Sequence, residues 1–212
     1  MTTNKNLLLW NIVFFAVLVW SGINPKDYFT WILEIFPALV AYIILAFTYK
    51  RFKFTTFSYI LILIHASILF VGGHYTYEEV PLFNWIRDTF HQSRNNYDKL
   101  GHLAQGFIPA IITREVFIRL NIVLRKKWLF FIIVSVCLAA SALYELFEWM
   151  MVMISGESAD AFLGTQGYIW DTQTDMLCAL IGSVLALVTL TKLHDKQLHK
   201  MITTKTQESL SP

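Results

Sequence analysis

Charge is scarce in this chain: of 212 residues only 15% are Asp, Glu, Lys or Arg, while 56% are hydrophobic. That is more apolar side chain than a soluble core of this size ordinarily holds. Cysteine is rarer still. Cys137 and Cys178 both fall inside apolar runs, which argues against a disulfide framework and leaves them as small packing residues. The sequence has no HExxH or CxxC zinc spacing, no Gly-x-Ser-x-Gly elbow and no phosphate-loop or dinucleotide-binding glycine pattern. ATP-driven, nicotinamide and serine-nucleophile chemistry therefore find no support here, and Ser141 reads as a packing residue. Internal repeats and low-complexity tracts are missing too. The net charge of +2 is small, and its basic residues lack interleaved aromatics, so nucleic acid is not an expected partner.

What the sequence has in abundance is long apolar blocks. Stretches near the roughly 20 residues needed to cross a bilayer recur at Leu7–Ile23, Tyr28–Thr48, Phe57–Gly73, Leu100–Leu120, Trp128–Ile154 and Thr172–Leu193. They predict an all-α fold, a polytopic membrane bundle of about six transmembrane helices, with lipids as its surroundings. The first block follows Lys5 and imitates a signal peptide, but Ser21-Gly22-Ile23-Asn24-Pro25 offers no small-residue cleavage pattern, so a retained helix is expected.

Lys and Arg set the orientation. They gather at Lys5, at Lys50, Arg51 and Lys53, at Arg119 and Arg125 to Lys127, and along the C-terminal Lys192, Lys196, Lys200 and Lys205. The alternate loops hold only Lys26, Arg87, Arg94 and Lys99. The positive-inside rule then places both termini in the cytoplasm. One transmembrane domain over residues 1–199 and a polar, mobile cytoplasmic tail over 200–212 complete the expected organisation.

Two outer segments are long. In the first, Pro81 suits a first helical turn, and Phe83, Ile86 and Phe90 recur at spacings of three and four. A short interfacial helix anchored by Trp85 and an ordinary partly helical loop fit equally well. The second, Ser155 to Trp170, carries Gly156, Gly164 and Gly167 and reads as a turn-rich cap.

Depth gives the polar residues meaning. Asp98 and His102 lie one turn apart near the outer end of the fourth span, Glu145 and Glu148 near the outer end of the fifth, and Asp171 and Asp175 at the start of the sixth. Ionisable groups at membrane depth are costly, so three such pairs at one height point to a built site. Each pair also sits above small residues that mark close helix contacts: Gly106 in the fourth span, Cys137 and Ser141 in the fifth, and Cys178, Gly182 and Ala186 in the sixth. Crowded carboxyls in a dry pocket need compensation by a proton or a cation. His102 beside them suits acid–base chemistry near neutral pH. It also suits a divalent metal of the Mg, Mn or Zn kind, although no metal-binding spacing supports one and the cofactor is left unknown. Glu34 and His74 border this region and read as bundle or interfacial contacts. His65, Arg114 and Glu115 lie deeper and read as an internal ion pair, the preferred reading, or as part of a proton route. The Gly72-Gly73 pair suits a close backbone approach or a helix end.

The runs Tyr97-Asp98-Lys99-Leu100-Gly101-His102, Tyr144-Glu145-Leu146-Phe147-Glu148-Trp149 and Trp170-Asp171-Thr172-Gln173-Thr174-Asp175-Met176 strongly resemble the YjdF family of bacterial inner-membrane proteins. The similarity extends to Gly72-Gly73-His74-Tyr75-Thr76-Tyr77 and to 160–167, nearly the whole chain. It implies a multi-pass inner-membrane location and supplies no activity. A more distant resemblance, to VanZ-like membrane proteins, rests on Asp98-Lys99, His102, Glu145, Asp171, Asp175 and Gly182, with Glu148 and the long loops departing from that pattern. Three functions remain open on these grounds. One is an envelope protein that binds or processes a lipid or lipid-linked polar head group, with Asp98, His102, Glu145, Glu148, Asp171 and Asp175 as working residues. The second is a small ion- or proton-coupled transporter. The third is a structural or accessory protein in which the acids pair with Arg94 or Lys99.

Overall fold

The structure is a computed structural model that describes residues 4–155, 162 and 164–210. Its helices are α1 (Asn4–Ser21), α2 (Tyr28–Thr48), α3 (Thr56–Tyr75), α4 (Pro81–Thr89), α5 (Tyr97–Arg119), α6 (Lys126–Ser155) and α7 (Asp171–Leu210). The predicted spans are found with their ends shifted by a few residues, except at the C-terminus. There the helix runs on to Leu210, through the residues after His199 that the sequence assigned to a polar tail. At roughly 1.5 Å per residue, α7 is about 60 Å long, twice the hydrocarbon thickness of about 30 Å. Its last turns therefore project beyond any bilayer that its apolar portion spans. Gly156, Asp160, Ala161 and Leu163 of the expected cap, and the final residues 211–212, lie outside the described residues.

Local chemistry fixes the helix starts. Asp27 caps α2 by accepting from Thr30 N at 2.6 Å, and Thr55 caps α3 through Ser58 N at 3.2 Å. Asn95, fully buried, accepts from Tyr97 N at 3.0 Å where α5 begins, while its amide donates to Val80 O and Asn84 Oδ1. Pro81 occupies the first turn of α4, whose lost N–H costs nothing there. The segment is thus helical and not a partly helical loop: Phe83 packs on Tyr97, and Leu82, Trp85 and Phe90 are exposed.

The six long helices alternate in direction. Call upper the end where α1, α3 and α6 finish. Both ends of the described chain then lie at the lower end. α2, α3, α6 and the Asp171–Met201 part of α7 are long and apolar enough to cross a membrane. α1 is a shorter apolar helix. α5 is the polar one, with Asp98, Lys99, Arg114, Glu115 and Arg119 along it, yet it is the centre of the bundle, packed on α3, α6 and most extensively on α7. The pattern of exposure is the inverse of a soluble protein: Asp98, Asp175 and Glu115 are buried while Phe47, Leu143, Met153 and Val188 are exposed. Burying a charge while exposing apolar area is stable only where the surrounding solvent is lipid.

Small residues bring α5 and α7 together. A Cβ on Gly106 would stand 1.8 Å from the Ala179 carbonyl oxygen, and one on Gly182 would stand 2.1 Å from Leu103 O. Ala110, Ala179 and Ala186 are likewise fully buried. Contact at backbone distance is how helices associate in lipid, where apolar burial offers no advantage. Tyr77 makes a second close approach, its ring lying across Gly72 and Gly101. The glycine pair therefore serves close packing, and α3 continues two residues beyond it. On the far side, Trp10, Phe14, Tyr42 and Phe70 form an aromatic cluster joining α1, α2 and α3.

Candidate functional site

The α5–α7 contact sets the site, because it holds the first turns of both helices side by side at the upper end. Lys99 of α5 reaches Asp171 Oδ1 at 2.6 Å and Asp175 Oδ1 at 2.7 Å on α7. Arg94, just before α5, meets Asp171 Oδ1 at 2.5 Å and also donates to Gly164 O at 3.0 Å and Thr165 O at 3.2 Å. It thereby fastens the 164–170 segment over the helix ends. Gln166 reinforces this by accepting from Asn95 N at 3.0 Å and donating to Asn95 O at 2.9 Å. The 164–170 stretch of the cap is thus pinned to the α4–α5 turn by the Arg94 side chain and by Gln166 on the Asn95 backbone.

Beneath this layer lies His102. Its Nε2 is 3.3 Å from Asp98 Oδ1 and 3.9 Å from Asp175 Oδ1; its Nδ1 is 2.9 Å from Gln105 Oε1 and 3.6 Å from Glu145 Oε1. Glu148 joins from α6 as a wall, with Asp98, His102, Glu34 and Tyr144, of a cavity of about 60 Å³. Tyr144 donates to Glu34 Oε2 at 3.3 Å.

All six residues singled out from the sequence are therefore gathered and buried: Asp98, His102, Glu145, Glu148, Asp171 and Asp175 are each at most 8% exposed. Glu34, read from sequence as a plain bundle contact, belongs with them. Gln105 was missed, though its place one turn after His102 on the same helix was a signal. His74 stays apart, its Nδ1 against Ser21 O at 3.0 Å and its ring on Trp20.

The charges do not balance. Six carboxyls face two permanent cations, Arg94 and Lys99, and one imidazole. Asp98 Oδ2 and Glu145 Oε1 are buried without a hydrogen bond, held only at ion-pair distance, 3.6 Å, from Arg94 and Lys99 in the first case and from His102 in the second. Orphaned acceptors in a low-dielectric site are expensive, so the arrangement is suited to holding protons, cations or a ligand rich in donors. Asp98 with His102 and Tyr144 with Glu34 give it two proton-carrying pairs for acid–base work.

The deeper polar residues organise differently from the expected ion pair. Arg114 pairs with Asp195 Oδ1 at 2.7 Å and contacts His194 Nδ1 at 3.0 Å. Glu115 turns the other way, to Arg119 at 2.8 Å, His194 Nε2 at 3.3 Å, Ser58 Oγ at 2.6 Å, and both Thr55 N and its hydroxyl. Adjacent residues on a helix point about 100° apart, so the two do not pair with each other and are linked instead through the His194 ring between them. His65 is not in that network; it lines the polar cavity and also a larger apolar cleft of about 320 Å³ between α1, α2, α3 and α5.

A bundle of apolar helices wrapped round a buried acid and histidine cluster defines a polytopic helical membrane protein. The family described as "Predicted membrane protein (DUF2238)" matches residues 6–196, and the chain belongs to it. Among curated proteins it is 43% identical over 184 residues to inner membrane protein YjdF of Escherichia coli (strain K12), covering 87% of this chain and 88% of that one. No solved structure matches it.

Proposed function

We propose that this is a bacterial inner-membrane protein that takes an envelope lipid or lipid-linked intermediate from the bilayer, seating its polar head among the upper-end acids. The observation that carries the reading is continuity: Pro37, His65 and Leu69 line both the polar cavity and the apolar cleft beneath it. Ile44 on the cleft wall is 56% exposed on the lipid-facing surface, so the cleft has a side open to chains. Pro37 and Pro109, each removing one intrahelical hydrogen bond from α2 and α5, face that cleft together. A head group carrying hydroxyls or amines supplies the donors that Asp98 and Glu145 lack.

Orientation supports an outward-facing site. The four basic residues of the upper end are all paired with acids: Lys26 with Glu79, Arg87 with Asp88, and Arg94 and Lys99 within the cluster. The basic runs at Lys50–Lys53 and Arg125–Lys127 lie at the lower end with the termini, which the positive-inside rule assigns to the cytoplasm.

The test is lipid co-purification. Wild-type protein extracted in mild detergent should retain a lipid species enriched over the bulk extract, read by mass spectrometry. Ala41→Trp, which fills the cleft, should lose it, and Glu148→Gln should change which head group is held. If wild-type and Ala41→Trp protein carry the same lipids in bulk proportion, the reading fails.

A further inference from the structure

Glu148 is 7% exposed and lines the polar cavity from α6, yet it makes no hydrogen bond or ion pair among the described residues. The charges that act on it most are the carboxyls of Glu145, Glu34, Asp98 and Asp175. Lys99 and Arg94 are committed to Asp98, Asp171 and Asp175, and His102 stands between Asp98 and Glu145, so none of these cations is paired with it. A proton alone does not satisfy the group either: protonation removes the charge but leaves an O–H that still needs an acceptor. His65 on α3 is in a matching position. Its ring lines both the cavity and the apolar cleft and makes no hydrogen bond among the described residues. One orphan lies in the cavity, the other where the cavity joins the cleft, and both are costly unless a ligand meets them.

We propose that the head group seated here is an aminoethyl phosphate, its primary ammonium bonded to Glu148 and its phosphate to His65. The inference rests on the lipid reading above and names the head. At about 30 Å³ for each water-sized group, a cavity of about 60 Å³ has room for two. That suits a methylene with its ammonium and excludes a sugar ring or a trimethylammonium. No Lys or Arg lines the cavity, so a phosphate finds no countercharge inside it, whereas Glu34 supplies a second carboxyl and the Tyr77 and Tyr144 rings suit a cation. The phosphate follows the amine by two carbons, which brings it to the junction, where the His65 N–H donates to a charged oxygen. Pro37 and Leu69 share that junction, and the acyl chains continue from it into the cleft.

The probes are three phospholipids with the same dioleoyl chains and different heads: aminoethyl, choline and glycerol. Each is added at equal concentration to delipidated protein in mild detergent, with bound lipid counted by native mass spectrometry and folding checked by thermal melting. Wild type should hold the aminoethyl lipid on the order of 10–100-fold more tightly than the other two, the effect of one hydrogen bond to a charged group. Glu148→Gln should bring it down to their level, whereas His65→Phe should weaken all three together, because the phosphate is common to them. Ethanolamine without chains should not displace the lipid; displacement at matched concentration assigns the cavity to a soluble amine and overturns the proposal. Wild-type protein that holds the choline or glycerol lipid as tightly as the aminoethyl one overturns it without any variant, so a Glu148→Gln protein that fails to fold does not shelter it. If Ala41→Trp still empties the cleft in that case, the broader lipid reading stands; if Ala41→Trp keeps the wild-type lipids, both fall.

Discussion

Replacing Gly106 by alanine probes the feature on which the site depends, the close contact of α5 with α7. The added methyl would sit 1.8 Å from the Ala179 carbonyl oxygen and 2.6 Å from its carbon. Relief to ordinary contact demands helix separation on the order of 1.5 Å, since the obstacle is backbone and cannot rotate away. Overpacking costs about 1–3 kcal/mol where flexible side chains can yield; against backbone the upper figure, about 3 kcal/mol, is expected. Separation also draws Lys99 away from Asp171 and Asp175, so the loss of stability is accompanied by loosening of the upper-end ion pairs. Unfolding in mixed micelles, followed by tryptophan fluorescence, measures the effect. Leu143→Ala is the control: Leu143 is 67% exposed to lipid, and its truncation should change stability by no more than about 0.5 kcal/mol. A Gly106→Ala protein as stable as Leu143→Ala would refute the argument that small residues at this seam set the bundle.

Further outcomes follow from other contacts. Glu115→Ala removes the acceptor shared by Arg119, His194, Ser58 and Thr55 and should cost about 3 kcal/mol, whereas Glu115→Gln, keeping the shape, should cost less; the same micelle unfolding ranks them. Arg94→Met frees the 164–170 segment from Asp171, Gly164 and Thr165, and amide exchange there should accelerate on the order of 100-fold, as the loss of charged hydrogen bonds implies. Exchange unchanged from wild type would mean that Arg94 does not hold that segment. In the turn above α3, burial lifts the Glu78 carboxyl above the usual range. The folded chain then holds that proton more tightly than the unfolded chain, so the ionised group disfavours folding above its folded-state pKa, and the penalty disappears as pH falls toward the ordinary carboxylate value. Stability should decline slightly with rising pH across that window, and Glu78→Gln should flatten the slope in pH-dependent melting.

Much of this was legible in the residues. Apolar blocks of bilayer length give the helices and their alternation, and the heights of Asp98, Glu145 and Asp171 give one polar layer, while Pro81 with Phe83 and Ile86 left a short helix and a loop equally open until the structure showed the helix. These follow from local rules, a fixed rise per residue and a fixed angle per step. The i,i+4 relation of Asp98 to His102 is of the same kind. Partner choice is not local. It depends on how each helix is rotated about its axis and how near its neighbour stands. Gly106 against Ala179 and Gly182 against Leu103 fix both for α5 and α7. Only then does Lys99 fall between Asp171 and Asp175, Arg114 meet Asp195 in preference to Glu115, and Glu34 turn into the cavity with Tyr144. The union of that cavity with the apolar cleft is likewise a property of helices packed side by side, since Pro37, His65 and Leu69 come from two helices and no spacing along the chain encodes their meeting.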